Sequence, residues 1–383
     1  MSWPTVKLGE VCQTTSGGTP NRKNASYFGG TIPWVKSGEL DQKPVLTTSE
    51  FLTESGVQNS SAKIQPVGTV LLALYGATIG KCSVLGIEAA TNQAICCIRV
   101  GENITNEFLL AFLRYKVADI VNLGVGGAQP NISQQIVRDL EIPLPPLSEQ
   151  KRLAAILDRA DATRRLRRES LARLDELAQS LFLELFGDPV TNLKGWDIQE
   201  LRSLGKVSTG ATPPSTLDGM FGGGIPFITP GDLEKHGDAA RTLTQGGAER
   251  VRVVRQGSTL VCCIGATIGK MGMAKHSSAF NQQINAVEWN QAVSDVYGFM
   301  ALRFRKNEII QKGASTTLPI LKKSSFEKLT IPLPPLALQQ RFAEQIAELE
   351  AIKMRARASL TELDALFASL QARAFAGELS NAA

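Results

Sequence analysis

The chain contains most of its own plan twice. Residues 76–81 read GATIGK, and residues 265–270 read GATIGK again, 189 positions later. The run IPLPPL at 142–147 recurs at 331–336 with the same offset, and Asn92-Gln93-Ala94-Ile95 is answered by Asn281-Gln282-Gln283-Ile284. Upstream the offset is 193: Trp3 matches Trp196, Leu8 matches Leu201, Thr19-Pro20 matches Thr212-Pro213, Ile32-Pro33 matches Ile225-Pro226, and Gly38 matches Gly231. One net difference of four residues between positions 40 and 68 reconciles the two registers. A repeat of this length constrains the fold more than any local signal, because both halves must specify one architecture. The 383 residues are therefore two complete copies in tandem, rather than two or three unrelated domains.

Each copy has the same internal order. Short β-like runs broken by Gly, Pro, Asn and Ser come first; residues 68–75 (GTVLLALY) and 257–264 (GSTLVCCI) each end in a glycine-bounded turn. Modest helices are expected over 106–122 and 294–311. IPLPPL then closes the globular part, since proline can neither continue a ladder nor sit inside a helix. A long helix follows in each copy. In the second, apolar residues at Phe342, Ile346, Leu349, Ile352, Ala356, Leu360, Leu363, Phe367, Leu370 and Ala374 trace a heptad seam. The first answers with Leu153, Leu157, Ala160, Leu171, Leu174, Ala178, Leu181 and Leu185, interrupted where Thr163 and Arg167 fall on the seam. At 1.5 Å per residue each helix would be ~57 Å long. An amphipathic helix of that length needs a partner. The other copy is the obvious one, with a homodimeric coiled coil or two separate surface helices as the alternatives. The expected fold is α+β: two duplicated domains separated by two long antiparallel coiled-coil helices, with pseudo-two-fold symmetry.

Composition narrows the function. Apolar residues make up 43% and charged residues 20%, enough for real cores. The formal charge of +5 permits a nucleic-acid partner without arguing for one. Two histidines, His236 and His276, lie on unrelated stretches and leave little for a His-based triad or metal site. The cysteines Cys12, Cys82, Cys96, Cys97, Cys262 and Cys263 show no CxxC spacing, and both adjacent pairs sit in apolar runs. They read as buried small hydrophobes in a reducing compartment. There is no apolar signal core at the N-terminus and no uninterrupted run near the ~20 residues that span a bilayer, so a soluble cytoplasmic protein is expected.

GATIGK invites a phosphate-loop reading that fails on counting. Three residues rather than four separate Gly from Gly-Lys, and Cys82 or Met271 stands where Ser or Thr should ligate magnesium. No dinucleotide-binding or methyl-donor glycine loop follows a strand. Asp41-Gln42-Lys43 and the differently spaced 232–235 (DLEK) are isolated fragments of a nuclease-like set. No catalytic constellation emerges, and no metal site.

What remains is a contact surface presented twice. Thr19, Arg22 and Lys23 lie in 16–23 (SGGTPNRK), and Thr212 lies in 208–215 (STGATPPS); small hydroxyls and backbone amides there suit phosphate or base-edge contacts. Lys36 and Ser37 follow Trp34, as Thr229 follows Phe227. Tyr75, Lys81 and Lys270 flank the glycine turns, and Gln93 and Gln282 lie in the shared Asn-Gln motif. Gln129 and Asn131 in 126–133, and Ser315 and Thr316 in 313–320, sit in equivalent polar loops. Gln and Asn amides match the paired donor and acceptor of adenine. Plain turn chemistry also accounts for any one of these loops. The duplication favours recognition: the hexamers are shared, while 20–30 against 213–224 and 50–64 against 246–254 differ freely.

The ordered set of motifs resembles the specificity subunit of type I restriction–modification systems. The carrying residues are Trp3, Leu8-Gly9-Glu10 and Gly195-Trp196 at the domain starts, GATIGK and IPLPPL in both copies, and Glu149-Gln150-Lys151-Arg152 opening the first helix, with Leu338-Gln339-Gln340-Arg341 in the second. The resemblance implies target recognition domains at 1–147 and 188–336, and spacer helices at 148–187 and 337–383. It implies that the residues named above face double-stranded DNA, that a bipartite asymmetric sequence is read, and that two adenine methyltransferase subunits and a motor–nuclease subunit are partners. It supplies no catalytic residue and no cofactor for this chain; S-adenosylmethionine, ATP and magnesium belong to those partners. The class that competes is a two-headed protein–protein scaffold without DNA contact. Segment 187–336 has 17 basic and 12 acidic residues, while 1–147 has 11 of each. The cluster Arg164, Arg165, Arg167 and Arg168 lies over a DNA backbone or forms a solvated face.

Overall fold

The computed structural model describes residues 3–40, 44–124, 131–214, 216–234, 238–314 and 319–379. The chain divides into two compact units: Met1–Arg168 with Ala358–Ala383, and Glu169–Arg357. Each unit is therefore one globular domain plus the near half of one long helix and the far half of the other.

The two domains share the topology of their main sheet, while the second sheet has three strands in the first domain and four in the second, where Val253–Val254 is added. In the first, a four-stranded antiparallel sheet runs in the order Cys12–Ser16, Ile95–Val100, Val70–Ala73, Cys82–Val84. In the second the order is Gly205–Thr209, Ile284–Trp289, Thr259–Cys262, Met271–Met273. Val70–Ala73 and Thr259–Cys262 are fully buried, which explains why they read as continuous apolar runs rather than alternating ones. A second sheet in each domain is built on Phe28–Val35 or Phe221–Ile228, each paired parallel to a short strand, Ala90–Thr91 or Ser278–Phe280. A third pairing, Thr5–Lys7 with Glu141–Pro143 and Asp197–Glu200 with Thr330–Leu333, ties the start of each domain to its IPLPPL run.

The helix expected over 106–122 is two helices, Asn106–Tyr115 and Val117–Asn122, and its counterpart is Asp295–Phe304 and Lys306–Gly313. Lys116 and Arg305 leave helical geometry at the equivalent position, with ψ of 5° and 11°.

The long helices span Leu147–Phe186 and Leu336–Phe375. Both stop at positive-φ glycines, Gly187 and Gly377, the conformation glycine adopts without penalty after a helix. In the first unit Leu153, Leu157 and Ala374 enter the core of Phe108 and Phe112, and the Phe375 ring lies 5.4 Å from Phe112 and 5.0 Å from Tyr115. In the second, Phe182 and Phe186 meet Phe342 and Tyr297 at ring separations of 4.8 to 5.6 Å. The start of one helix thus packs beside the end of the other in each unit, an antiparallel pairing. Each fully buried aromatic contributes roughly 2–3 kcal/mol.

The seam differs from expectation near the end of the first helix, where Phe182 and Phe186 are buried beside the partly buried Leu181 and Leu185, and again in the second helix. Ile352 is 45% exposed, and Lys353 takes its place at 5%. The Lys353 ammonium is held by Asp175 at 2.6 Å and Glu350 at 2.5 Å. The first unit carries the same arrangement 189 residues away: Arg164 pairs with Asp364 at 2.6 Å and Asp161 at 3.0 Å, and Arg168 reaches Asp364 at 2.8 Å. Most of the arginine cluster is therefore absorbed into the helix pair, with Arg165 also on Asp161 at 3.6 Å. Among the described residues no helix is long and apolar enough to cross a membrane.

Candidate nucleic-acid interface

Backbone hydrogen bonds gather the expected contact residues along one edge of each domain. In the first, the amides of Gly17 and Gly18 donate to Ile95 O and Thr91 O, Asn92 N donates to Val35 O, and Leu74 N donates to Ala94 O. Tyr75 bridges Asn131, whose neighbour Ile132 donates to Leu74 O at 3.0 Å. Thr19, Lys36, Ser37, Tyr75, Gln93 and Asn131 are thereby set at the ends of adjoining strands. The second domain repeats the pattern: Gly210 N to Ile284 O, Asn281 N to Ile228 O, Cys263 N to Gln283 O, and an Ile264–Ile320 bridge.

One side-chain contact recurs intact. Thr19 Oγ1 donates to Gln93 Oε1, and Thr212 Oγ1 donates to Gln282 Oε1 at 2.6 Å. Both glutamines are exposed. A hydroxyl on the amide oxygen fixes which way the amide faces and leaves its NH₂ free to donate outward.

A second recurring element is a carboxylate closing the turn after the long strand. Glu39 accepts from Lys36 N at 2.8 Å, and Asp232 accepts from Thr229 N at 2.9 Å and Thr229 Oγ1 at 2.6 Å. Burial works to raise the Glu39 carboxyl, but hydrogen bonds from Lys36 N, Ser49 and Thr48 outweigh it and hold the group below its usual range.

The glycine turns are tight and closed upon themselves. Gly80 N donates to Ala73 O at 3.0 Å and Gly269 N to Cys262 O at 2.8 Å, both glycines with φ above +80° or at it. A side chain on Gly269 would also come within 2.8 Å of Ile310 Cγ1. The amides are thus spent on the turn itself, not aimed at a phosphate. Lys81 is exposed as expected, whereas Lys270 is half-buried.

The two edges differ in charge. Arg22 and Lys36 both pair with Glu50, at 2.6 and 2.7 Å, and the Arg22 guanidinium lies 4.9 Å over Phe28 and 4.8 Å over Trp34. Their hydrogen bonds, Arg22 first, hold the Glu50 carboxyl below the usual carboxylate range. In the second domain Arg241 takes the aromatic role, 4.0 Å over Phe221 and 5.8 Å over Phe227. The sequence reading missed Arg241, because it sits in a variable stretch with no partner at the repeat offset. Lys23 is exposed, with its amide on Asn21 Oδ1. Gln129, Ser315 and Thr316 lie outside the described residues. No group of three or more His, Cys, Asp or Glu able to hold a metal occurs among the described residues.

Comparison with known proteins finds relatives of the whole chain. The family model for the type I restriction modification DNA specificity domain matches twice, at residues 1–176 and 193–362. The type I restriction enzyme MjaIX specificity subunit of Methanocaldococcus jannaschii is 24% identical over 368 residues, covering 89% of this chain and 85% of that protein. The EcoR124I/EcoR124II specificity subunit of Escherichia coli is 26% identical over 188 residues, 48% of this chain and 46% of its own. The fold matches the S subunit of the type I restriction–modification system from M. genitalium, with a TM-score of 0.62 at 14% identity, covering 97% of this chain and 96% of that one. It also matches a chain solved for complex assembly and conformational transition of the type I R-M system, with a TM-score of 0.59 at 23% identity, covering 99% and 98%. With both copies matched by the one model, the chain belongs to the type I restriction–modification DNA specificity family.

Proposed function

We propose that this chain is the non-catalytic DNA reader of a type I restriction–modification complex, each domain reading one part of a bipartite, asymmetric target. The observation that carries the reading is the repeated edge. Its frame is the same in both domains, down to the Thr19–Gln93 and Thr212–Gln282 bonds, while the side chains set on it differ: Lys36 against Thr229 and Tyr75 against Ile264. One frame with two sets of side chains suits two different half-sites. Exposed amides and arginines are the groups that read base edges, with bidentate pairs discriminating by about 1–3 kcal/mol each.

In this reading the paired helices dock two adenine methyltransferase subunits, and a motor–nuclease subunit joins them. S-adenosylmethionine serves the methyltransferase subunits, and ATP and magnesium serve the motor. Mapping modified adenines in a host carrying this chain and its partners is the test. The expected result is one bipartite motif that disappears with the chain. A continuous palindrome, or a motif independent of the chain, overturns the reading; retained assembly with no DNA contact favours the protein scaffold instead.

A further inference from the structure

The helix pairs of the two units differ at the position of Phe367. In the first, Phe367 lies beneath the Arg164 guanidinium, 4.1 Å from ring centroid to Cζ, and packs against the core. In the second, the equivalent of Arg164 is Lys353 and the equivalent of Phe367 is Ala178, both 189 residues away. The flanking carboxylates are kept, Asp364 as Asp175 and Asp161 as Glu350. The cation and its anions are thus present in both units, but the ring is supplied only in the first.

Where that ring is missing the second unit has an open cleft of about 940 Å³. Ala178, Asp175, Lys353, Ile346, Phe299 and Met300 are among its lining residues. Ile346, Phe299 and Met300 give it apolar walls, and the Lys353 side chain reaching it is 7% exposed. An ammonium held at such a site, over apolar walls, favours the face of an aromatic ring.

We propose that this cleft receives an aromatic side chain projecting from a methyltransferase subunit, which takes beside Lys353 the place that Phe367 takes beside Arg164. The first unit shows which occupant this architecture accepts. Because the first unit supplies its own ring beside Arg164, the two units would grip their partners differently, and the otherwise duplicated chain acquires a polarity in assembly. This rests on the reading that the chain docks methyltransferase subunits.

The test uses the full chain. Ala178→Phe should place a ring of the chain's own beside Lys353, raise the melting temperature, leave DNA affinity unchanged and weaken binding of the cognate methyltransferase subunit at least tenfold. Ala178→Ser, which stays small, should bind it as the parent does. A folded Ala178→Phe chain that binds the methyltransferase subunit normally overturns the proposal alone. A parent chain that does not bind it at all overturns the reading beneath as well. Indole provides a measurement independent of the partner: the parent should bind one equivalent near Lys353, and Phe367→Ala should open a second site. Absence of indole binding to the parent, or an unchanged stoichiometry in a folded Phe367→Ala chain, counts against the cleft as an aromatic site even where Ala178→Phe does not fold.

Discussion

Gln150 and Gln339 stand 189 residues apart and make the same hydrogen bonds, each fully buried at the start of a long helix. Gln150 Nε2 donates to Asn103 O at 2.8 Å and Pro145 O at 2.9 Å, while its Oε1 accepts from Thr105 N at 2.9 Å. Gln339 Nε2 donates to Ala292 O at 3.1 Å and Pro334 O at 2.8 Å, and its Oε1 accepts from Ser294 N at 2.8 Å. Each amide therefore fastens the segment before the domain's own helix to the first turn of the long one.

Truncating either glutamine leaves one buried carbonyl, of Pro145 or Pro334, and a part-buried carbonyl and amide without these partners. Gln150→Ala and Gln339→Ala should each cost about 3 kcal/mol of stability. Gln→Glu at either position should be at least as damaging at neutral pH, because a carboxylate cannot donate to the two carbonyls. Urea denaturation of the full chain measures both. A loss within the range of ordinary surface changes, about 0.5 kcal/mol, contradicts the role.

The charged seam makes an asymmetric claim. Lys353 is buried, while the side chains of Asp175 and Glu350 remain 48% and 49% exposed. Removing the cation leaves two carboxylates that water can solvate, whereas removing Asp175 leaves a buried ammonium with one partner fewer. Asp175→Ala should therefore destabilise more than Lys353→Met, which keeps most of the buried stem. Comparing the two variants by thermal unfolding decides it, and the reverse order would show that the pair matters as a bond rather than through burial.

Much of this was legible before the structure, and the misses have identifiable causes. GATIGK and IPLPPL mark the duplication because scaffold residues repeat with a fixed offset. Hydrophobicity alone favours Ile352 over Lys353 on the seam, and the structure reverses the two. Carrying the 189-residue register into the helices aligns Lys353 with Arg164 and Asp175 with Asp364, which exposes the shared ion pairs and explains the arginine cluster. Arg241 gave no such signal. It meets Phe221 from a stretch that has diverged, whereas the first domain brings Arg22 to Phe28 from a different loop.

All six cysteines are buried and unpaired. Burial pushes Cys12, Cys82 and Cys97 up to about 11, and Cys96 and Cys263 up to about 12. Since the thiolate is the reactive form, these thiols should be inert in the native chain at pH 8 and react fully once it is unfolded. Counting modified thiols with an alkylating reagent, with and without denaturant, checks this. Rapid native labelling of Cys96 or Cys263 is the contrary result.

On the proposed DNA-reading role, Glu50 limits how much of the first domain's charge can meet a phosphate backbone. It neutralises Arg22 and Lys36 together, and removing its charge should release both cations toward a phosphate backbone. Glu50→Gln is expected to raise affinity for random duplex DNA and to steepen its loss with added salt by up to about two more phosphate contacts. The pH dependence follows in sign. A carboxyl held below its usual range in the folded chain stabilises that chain above the unfolded value, and the contribution fades as pH falls through the lower, folded value. The parent should therefore lose part of its acid stability over that window, and Glu50→Gln should lack that component. Equal salt slopes in the two proteins would mean that the Glu50 pairing does not restrain the arginine and lysine beside it.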